Sequence, residues 1–196
     1  MKCDFCDANA QYRDQYTGQY ACLAHTRLQV TTFRGSGKLA PLSIRPAVQA
    51  DRERIIELCL YFWGETEVEC FENTYEICDL PAFVACDGDQ VVGLASYAIE
   101  KEALNLVLLN VLPDCQGRGG GRALIVAVEE AAQANNLARI IVATSNDDLP
   151  ALYLYQRHGY HLTGIKTGHL IEHHDREEAG LAGIPVRDEL RLEKQL

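Results

Sequence analysis

The chain has 196 residues, 47% of them apolar, with 28 Asp/Glu against 18 Lys/Arg, enough to bury one full core with some length left over. No run of about 18 apolar residues occurs and the opening MKCDFCDANA lacks the apolar stretch of a secretory signal, so a soluble, cytoplasmic protein with no membrane partner is expected. The charge is uneven: residues 1–42 are net +2 and residues 43–196 net −12, a distribution that repels nucleic acid from the larger part and favours cationic partners.

The eight cysteines of a cytoplasmic chain are read as thiols or metal ligands rather than disulfides. Cys3, Cys6 and Cys22 crowd together with His25, as CDFC and CLAH separated by fifteen residues. Between them QYRDQYTGQYA alternates Tyr with polar residues around Thr17-Gly18, as a short hairpin would. Knuckle, hairpin and a following helix resemble a treble-clef or ribbon-like zinc finger spanning residues 1–33, with Cys3, Cys6, Cys22 and His25 as a closed tetrahedral set. Four protein ligands leave no open position, so the Zn2+ is expected to be structural and to supply folding energy. Without a basic stripe, such a module is expected to pack on the larger domain or dock a protein partner, not to read DNA. RGSGKLAP, with its glycines and proline, marks a linker at 34–42.

The larger domain, residues 43–196, opens with a short strand at Leu42–Arg45 and a helix from about Gln49, where Ile55, Leu58, Cys59 and Phe62 form an apolar face. FWGETEVECFENTYEI, acidic and broken at Gly64, reads as a loop and second short helix. AFVAC, the turn DGDQ and VVGLASYAIE form a hairpin, and ALNLVLLNVL follows as a third antiparallel strand. After a glycine loop, RALIVAVEEAAQANN is helical, ARIIVATS is an apolar strand, and NDDLPALYLYQRHGY is a helix with Asp148 as N-cap and Gly159 just past its end. YHLTGIKT and DELRLEK are final strands flanking an irregular His-rich segment. The fold expected is α/β, with a mixed, mostly antiparallel sheet flanked by helices.

VLPDCQGRGGGRAL (111–124) joins the third strand to a helix. Arg122-Ala123 stands where a Walker loop needs Lys and Ser/Thr, and a dinucleotide fingerprint from Gly117 or Gly119 ends on Arg122 or Leu124 instead of glycine. The pattern Gln/Arg-x-x-Gly-x-Gly/Ala is met by Gln116, Gly119 and Gly121. With it, residues 43–196 resemble the GNAT acyltransferase superfamily in three elements in order: IRPAVQAD, LNVLPDCQGRGGGRAL and ALYLYQRHGY. The resemblance implies acetyl-CoA as co-substrate. Amides of Gln116, Gly117, Arg118, Gly119, Gly120, Gly121 and Arg122 would meet the diphosphate at a helix start, where unpaired N–H groups and the dipole favour anions; Arg118 and Arg122 would add positive charge.

The resemblance further implies that Leu109, Asn110 and Val111, on a strand splayed at a bulge, hold the pantetheine and thioester through backbone amides, Val111 stabilising the developing oxyanion. It places Tyr155 as the proton donor to the departing thiolate, with Tyr153 as the alternative if the register slips. Where the family carries a coenzyme-contacting Asn, this chain has Asp148, with Asn146 two residues earlier as the expected contact. An aliphatic amine is only about 0.1% deprotonated at neutral pH, so a base is required; the position used by some members is Asn105, leaving Glu65, Glu67, Glu102, His169, His173, His174 or a water chain. The expected activity is direct acetyl transfer to a primary amine, cationic and either a small molecule or a peptide. The competing readings are a non-catalytic CoA sensor with a zinc finger for docking, and a zinc-dependent nucleic-acid binder.

Overall fold

The computed structural model describes Tyr12–Arg13, Tyr20–Ala21, and residues 40–174 and 178–196. Strands β1 (Tyr12–Arg13) and β2 (Tyr20–Ala21) pair antiparallel with Tyr12 opposite Ala21, as the alternating tyrosines predict. Cys3, Cys6, Cys22 and His25 lie outside the described residues. Among the described residues no group of His, Cys, Asp and Glu could hold a metal ion, and no helix is long and apolar enough to cross a membrane.

Strand β3 (Ser43–Pro46) turns through Gln49–Asp51 into α1 (Arg52–Phe62). Asp51 ties this corner, accepting from both Arg45 guanidinium nitrogens at 2.6 and 2.8 Å and from the Val48 N–H at 2.8 Å; the Arg45 bond holds its carboxyl below the ordinary range. Helix α1 buries Ile55, Leu58 and Cys59, the face its apolar spacing predicts.

The next segment corrects the expected loop and short helix. Residues Glu67–Cys70 and Asn73–Glu76 form a two-residue hairpin, β4 and β5. The reason is period-two alternation that the acidic residues obscured: Val68 and Cys70 turn inward while Glu67 and Glu69 are exposed. Its tip, Phe71 and Glu72, has φ of 50° and 62°, a left-handed conformation costing non-glycine residues roughly 1–2 kcal/mol each. The tip is anchored: the Arg191 guanidinium lies 4.8 Å from the Phe71 ring centroid and donates to Glu72 at 2.9 Å, and Lys166 also pairs with Glu72.

Strands β6 (Ala82–Asp87), β7 (Gln90–Ile99) and β8 (Leu104–Val111) follow as an antiparallel meander. Then come α2 (Gly120–Ala134), β9 (Arg139–Ser145), α3 (Leu149–Arg157) and β10 (His161–Lys166). The His-rich segment, expected to be irregular, contains a short helix α4 (His169–His174) and a minimal hairpin, β11 (Glu178–Ala179) and β12 (Pro185–Val186). The last strand, β13 (Glu189–Gln195), inserts between β9 and β10. The main sheet has the order β10-β13-β9-β8-β7-β6-β3, and β8–β9 is its parallel pair in an otherwise antiparallel ladder.

Two apolar cores flank the sheet. One joins Leu124, Ile125 and Val128 of α2 to Leu104 and Leu106 of β8, Tyr155 of α3, and Tyr160. The other joins Ile55, Leu58 and Cys59 of α1 to Leu94, Val107 and Leu108. Gly93 lets β7 meet β8, because a Cβ there would stand 2.5 Å from the Asn110 carbonyl oxygen. Gly93→Ala must therefore push two backbones apart, and a loss of about 2–3 kcal/mol is expected. Urea denaturation checks this; an unchanged midpoint would show that the ladder yields freely.

Candidate active site

The central feature of the sheet is an opening between β8 and β9. Their parallel register covers Leu104↔Ile140, Asn105↔Ile141 and Leu106↔Val142, although β8 continues to Val111 and β9 to Ser145. The register of β7 against β8 shifts between Ser96 and Tyr97, whose partners are Leu108 and Leu106, leaving Val107 as the extra residue of a β-bulge. The bend it introduces carries the rest of β8 away from β9.

The amides of the freed stretch alternate in direction. The Leu112 N–H donates to the Val92 carbonyl at 2.8 Å, so by strand alternation the Asn110 N–H faces β7 and those of Leu109 and Val111 face the opening. By the same alternation Asn110 turns its backbone amide to the ladder. Its side chain instead enters the α1 face, where both carboxamide atoms are buried with no hydrogen-bond partner. The Val111 carbonyl accepts from Gln116 Nε2 at 2.9 Å, tying the end of β8 to the glycine loop.

That loop enters α2 through Gly117 and Gly119, with φ of 74° and 83°, and Gly119 is the helix N-cap without a side-chain cap bond. Two further glycines serve packing, since a Cβ on Gly120 would lie 2.7 Å from Leu42 and one on Gly121 would lie 3.2 Å from Leu154. Arg118 is held by partners outside the loop. Its guanidinium is bound to both Asp87 carboxylate oxygens at 2.6 and 2.8 Å and to the Ala40 carbonyl at 2.9 Å, so it braces the loop against the β6–β7 turn with its charge already matched. Arg122 remains exposed beside the loop.

Tyr155 lies on the α3 face of the sheet, 4% exposed, with its ring centroid 5.6 Å from that of Tyr160. Burial, followed by the nearby Asp148 carboxylate, raises its phenol far above the ordinary range, so the group stays protonated. Tyr153 is exposed and beneath the Arg157 guanidinium, which removes it as the alternative. Asp148 caps α3, accepting from the Ala151 N–H at 3.1 Å, and burial raises its carboxyl. Asn146 has its side chain engaged by the turn at 185–188: its Oδ1 accepts from the Arg187 and Asp188 N–H groups at 2.9 Å each and its Nδ2 donates to the Pro185 carbonyl at 2.9 Å. Both ends of the amide are used.

Opposite Tyr155, on the α1 face, lies a polar group the sequence reading did not assemble. Asn105, fully buried, donates to Cys70 Sγ at 3.4 Å and Tyr75 Oη at 3.3 Å, and Tyr75 donates to Glu100 at 2.5 Å. Burial pushes the Cys70 thiol up to about 11; burial and Glu100 push the Tyr75 phenol up to about 12. Glu189, 3% exposed, stands opposite Ser145 at the open end of β9 and is bonded to Arg191 at 2.6 Å. Its sequence signal was the alternation in ELRL, which turns Glu189 and Arg191 to the face opposite Leu192. Of the candidate bases, Glu65, Glu67 and Glu102 are exposed and His169 is half-buried, 3.9 Å from Glu189; His173 and His174 lie in α4.

A diverging parallel strand pair, a glycine-capped helix start at its mouth and a buried tyrosine beside it are matched by the profile of the Acetyltransferase (GNAT) family over residues 50–160. The chain belongs to that family. GNAT membership makes it an acyltransferase that moves an acetyl group from acetyl-CoA to an amine. Among relatives, the uncharacterized protein YxbD of Bacillus subtilis (strain 168) is 29% identical over 164 residues, covering 79% of this chain and 99% of its own, and the uncharacterized N-acetyltransferase YvbK of the same organism is 28% identical over 56% of this chain and 71% of its own. Among solved GNAT folds, a Bacillus subtilis acetyltransferase in complex with CoA aligns with a TM-score of 0.62 at 21% identity, covering 79% of this chain and 99% of that one. An Elizabethkingia anophelis GNAT acetyltransferase with acetyl-CoA bound aligns at 0.59 and 18%, covering 81% and 100%.

The two buried phenols give a pH test. Burial raises Tyr155 and Tyr160 in the folded chain, whereas in the unfolded chain they ionise near the ordinary value of about 10. Below that value neither state ionises and stability is complete; above it only the unfolded chain releases these protons, so stability falls as pH rises. Urea midpoints measured from about pH 9 to about pH 11 should decline, and less steeply in Tyr155→Phe. Equal slopes in both proteins would place the Tyr155 phenol outside the core.

Proposed function

We propose that the β8–β9 opening is where this GNAT enzyme transfers acetyl from acetyl-CoA to a cationic primary amine. The observation that carries the reading is the release of β8 from β9 after three rungs, directly before a glycine-capped helix. Leu109 and Val111 would offer backbone N–H groups to the pantetheine and the thioester carbonyl, where Val111 stabilises the oxyanion. Amides of Gly117, Arg118, Gly119, Gly120 and Gly121, with Arg122, would hold the diphosphate, while the Gln116 N–H, bonded to the Pro113 carbonyl at 3.1 Å, shapes the loop entry. Acetyl-CoA supplies the activated acyl group; Tyr155 supplies the proton to the sulfur that leaves. The amine enters from the α1 face, whose exposed Glu65 and Glu67 suit a positive charge. NAA60 of Arabidopsis thaliana, a structural neighbour with a TM-score of 0.58, was solved with a bisubstrate analogue, and a peptide amine is one acceptor class proposed here beside small cationic amines.

Release of thiol from acetyl-CoA across an amine panel tests the reading. Turnover is expected, with kcat reduced about 100-fold in Tyr155→Phe and CoA affinity retained. Tight CoA binding without turnover of any amine would establish the non-catalytic sensor instead.

We propose further that residues 1–33 form a structural zinc module with Cys3, Cys6, Cys22 and His25 as ligands and a protein-docking or packing role, that 34–42 is a linker and that 43–196 is the catalytic domain. The β1–β2 pairing between the two ligand pairs supports the first point, and the start of β3 at Ser43 supports the boundary. Free thiols at Cys59, Cys70, Cys78, Cys86 and Cys115 support a reducing, cytoplasmic setting. One equivalent of zinc per chain is expected by elemental analysis, lost in Cys3→Ser with acetyl-CoA affinity intact; a metal-free wild type would refute the module.

A further inference from the structure

Glu189 is a carboxylate with little access to water, and its two oxygens have different neighbours. Oε1 accepts from Arg191 Nε at 2.6 Å, whereas Oε2 lies within ion-pair reach of His169 Nε2, at 3.9 Å. An ion pair with Arg191 accounts for only the first oxygen, and Arg191 also serves Glu72 and Phe71. The second oxygen is aimed at the one histidine of the candidate set whose surroundings the structure defines.

The local backbone fixes this meeting. Gly168 N–H donates to Asp188 Oδ1 at 2.9 Å and Leu170 N–H donates to the Arg187 carbonyl at 3.0 Å. The residues on either side of His169 are thus bonded to the two residues that precede Glu189. Asn146 in turn holds the Arg187 and Asp188 amides from the end of β9. The imidazole is therefore positioned from the strand that forms the far wall of the opening. It is 20% exposed in its side chain, against 4% for Glu189, so the histidine can meet a solute and the carboxylate cannot.

Extending the acetyl-transfer reading above, we propose that His169 is the catalytic base that takes the proton of the incoming ammonium, and that Glu189 is the positioning residue whose charge, at 3.9 Å, favours the imidazolium that forms. At 3.9 Å the Glu189 carboxylate is beyond direct hydrogen-bond reach of Nε2 and acts on the ring through its charge; in the tautomer that carries its proton on Nε2, Nδ1 is the nitrogen that accepts one. Glu189 offsets the positive charge that the ring acquires, as carboxylates behind histidine bases do. Among the described residues, the other charged or titratable groups around the pair are Arg191 on β13, Cys70 on β4, Glu72 at the hairpin tip, Lys166 on β10, and Arg187 and Asp188 in the connecting turn.

The proton and bond changes balance. His169 Nδ1 removes one proton from R–NH3+, and the freed lone pair forms the C–N bond at the thioester carbonyl carbon. The C–S bond breaks as Tyr155 delivers its proton to sulfur. The phenolate recovers a proton from the second N–H of the attached nitrogen, which is left as the neutral amide, and the imidazolium returns its proton to water. Acid and base act from opposite faces of the sheet, Tyr155 in the α2–α3 core and His169 through Glu189, whose charge reaches Cys70.

The test uses the full-length protein and two acceptors: the aliphatic amine turned over fastest in the panel, and the alkoxyamine of the same carbon skeleton, which is largely unprotonated at neutral pH and needs no base to expose its lone pair. For the aliphatic amine, kcat/KM is expected to fall about 100-fold in His169→Gln and about 10-fold in Glu189→Gln. For the alkoxyamine both variants should stay within about threefold of wild type, with unchanged calorimetric affinity for acetyl-CoA, and added imidazole should restore part of the activity of His169→Gly. Equal losses on both acceptors would assign the pair a purely structural role, and no loss on either would place the base elsewhere. A wild-type protein that uses neither acceptor overturns the acetyl-transfer reading, and the pair with it. Should Glu189→Gln fail to fold, His169→Gln at its half-buried position decides the matter.

Discussion

Strands β8 and β9 are hydrogen-bonded neighbours for three rungs and then part. Backbone donors in a sheet interior are normally consumed by the ladder, and leaving them unpaired is costly. Here the bulge at Val107 turns β8 out of register and exposes the N–H groups of Leu109 and Val111 along one edge. The same bulge sets which side chains face which core: Leu109 packs with the α2 core and Leu108 with the α1 core. The position of the glycine loop follows, because α2 can begin only where β8 ends.

What keeps the opening from collapsing is a short polar run after β9. Asn146, Asp147 and Asp148 are consecutive, and each side chain holds a different segment. Asn146 takes the turn at 185–188, Asp147 accepts from Leu181 N–H at 2.9 Å and Ser145 Oγ at 2.5 Å, and Asp148 caps α3. Gly180 is required beside them, since a Cβ there would strike the Asp147 carboxylate. Three neighbouring residues thus fix the helix bearing Tyr155, the loop before β13 and the turn that leads into it.

Much of this was legible in the sequence because the signals were local. Apolar runs marked β6 to β9, Asp148 and Pro150 marked the start of α3, and glycines with no side chains to shield the backbone marked the helix entry. The β4–β5 hairpin was obscured because its turn, Phe71-Glu72, has none of the Asn or Gly that such turns favour; side chains far along the chain support it instead. The partners of Asn146 and Arg118 were hidden for a related reason. Their type and position suited a coenzyme contact, but their partners at 185–188 and at Asp87 are brought near only by the fold. Glu189 could be placed on a strand but not beside His169, because nothing in a single sequence registers β13 against α4.

Strand β13 is threaded between β9 and β10 and pairs with β9 along its whole length. Without it, β9 has three rungs to β8 and a vacant edge. The hairpin tip at Phe71-Glu72 likewise depends on Arg191, 119 positions downstream. The contacts of the meander and the glycine-capped helix are local, whereas both walls that flank the opening depend on β13 for their supports. Strand β13 is the keystone of both walls, because one distant segment supplies the second edge of β9 and the anchor of the hairpin tip.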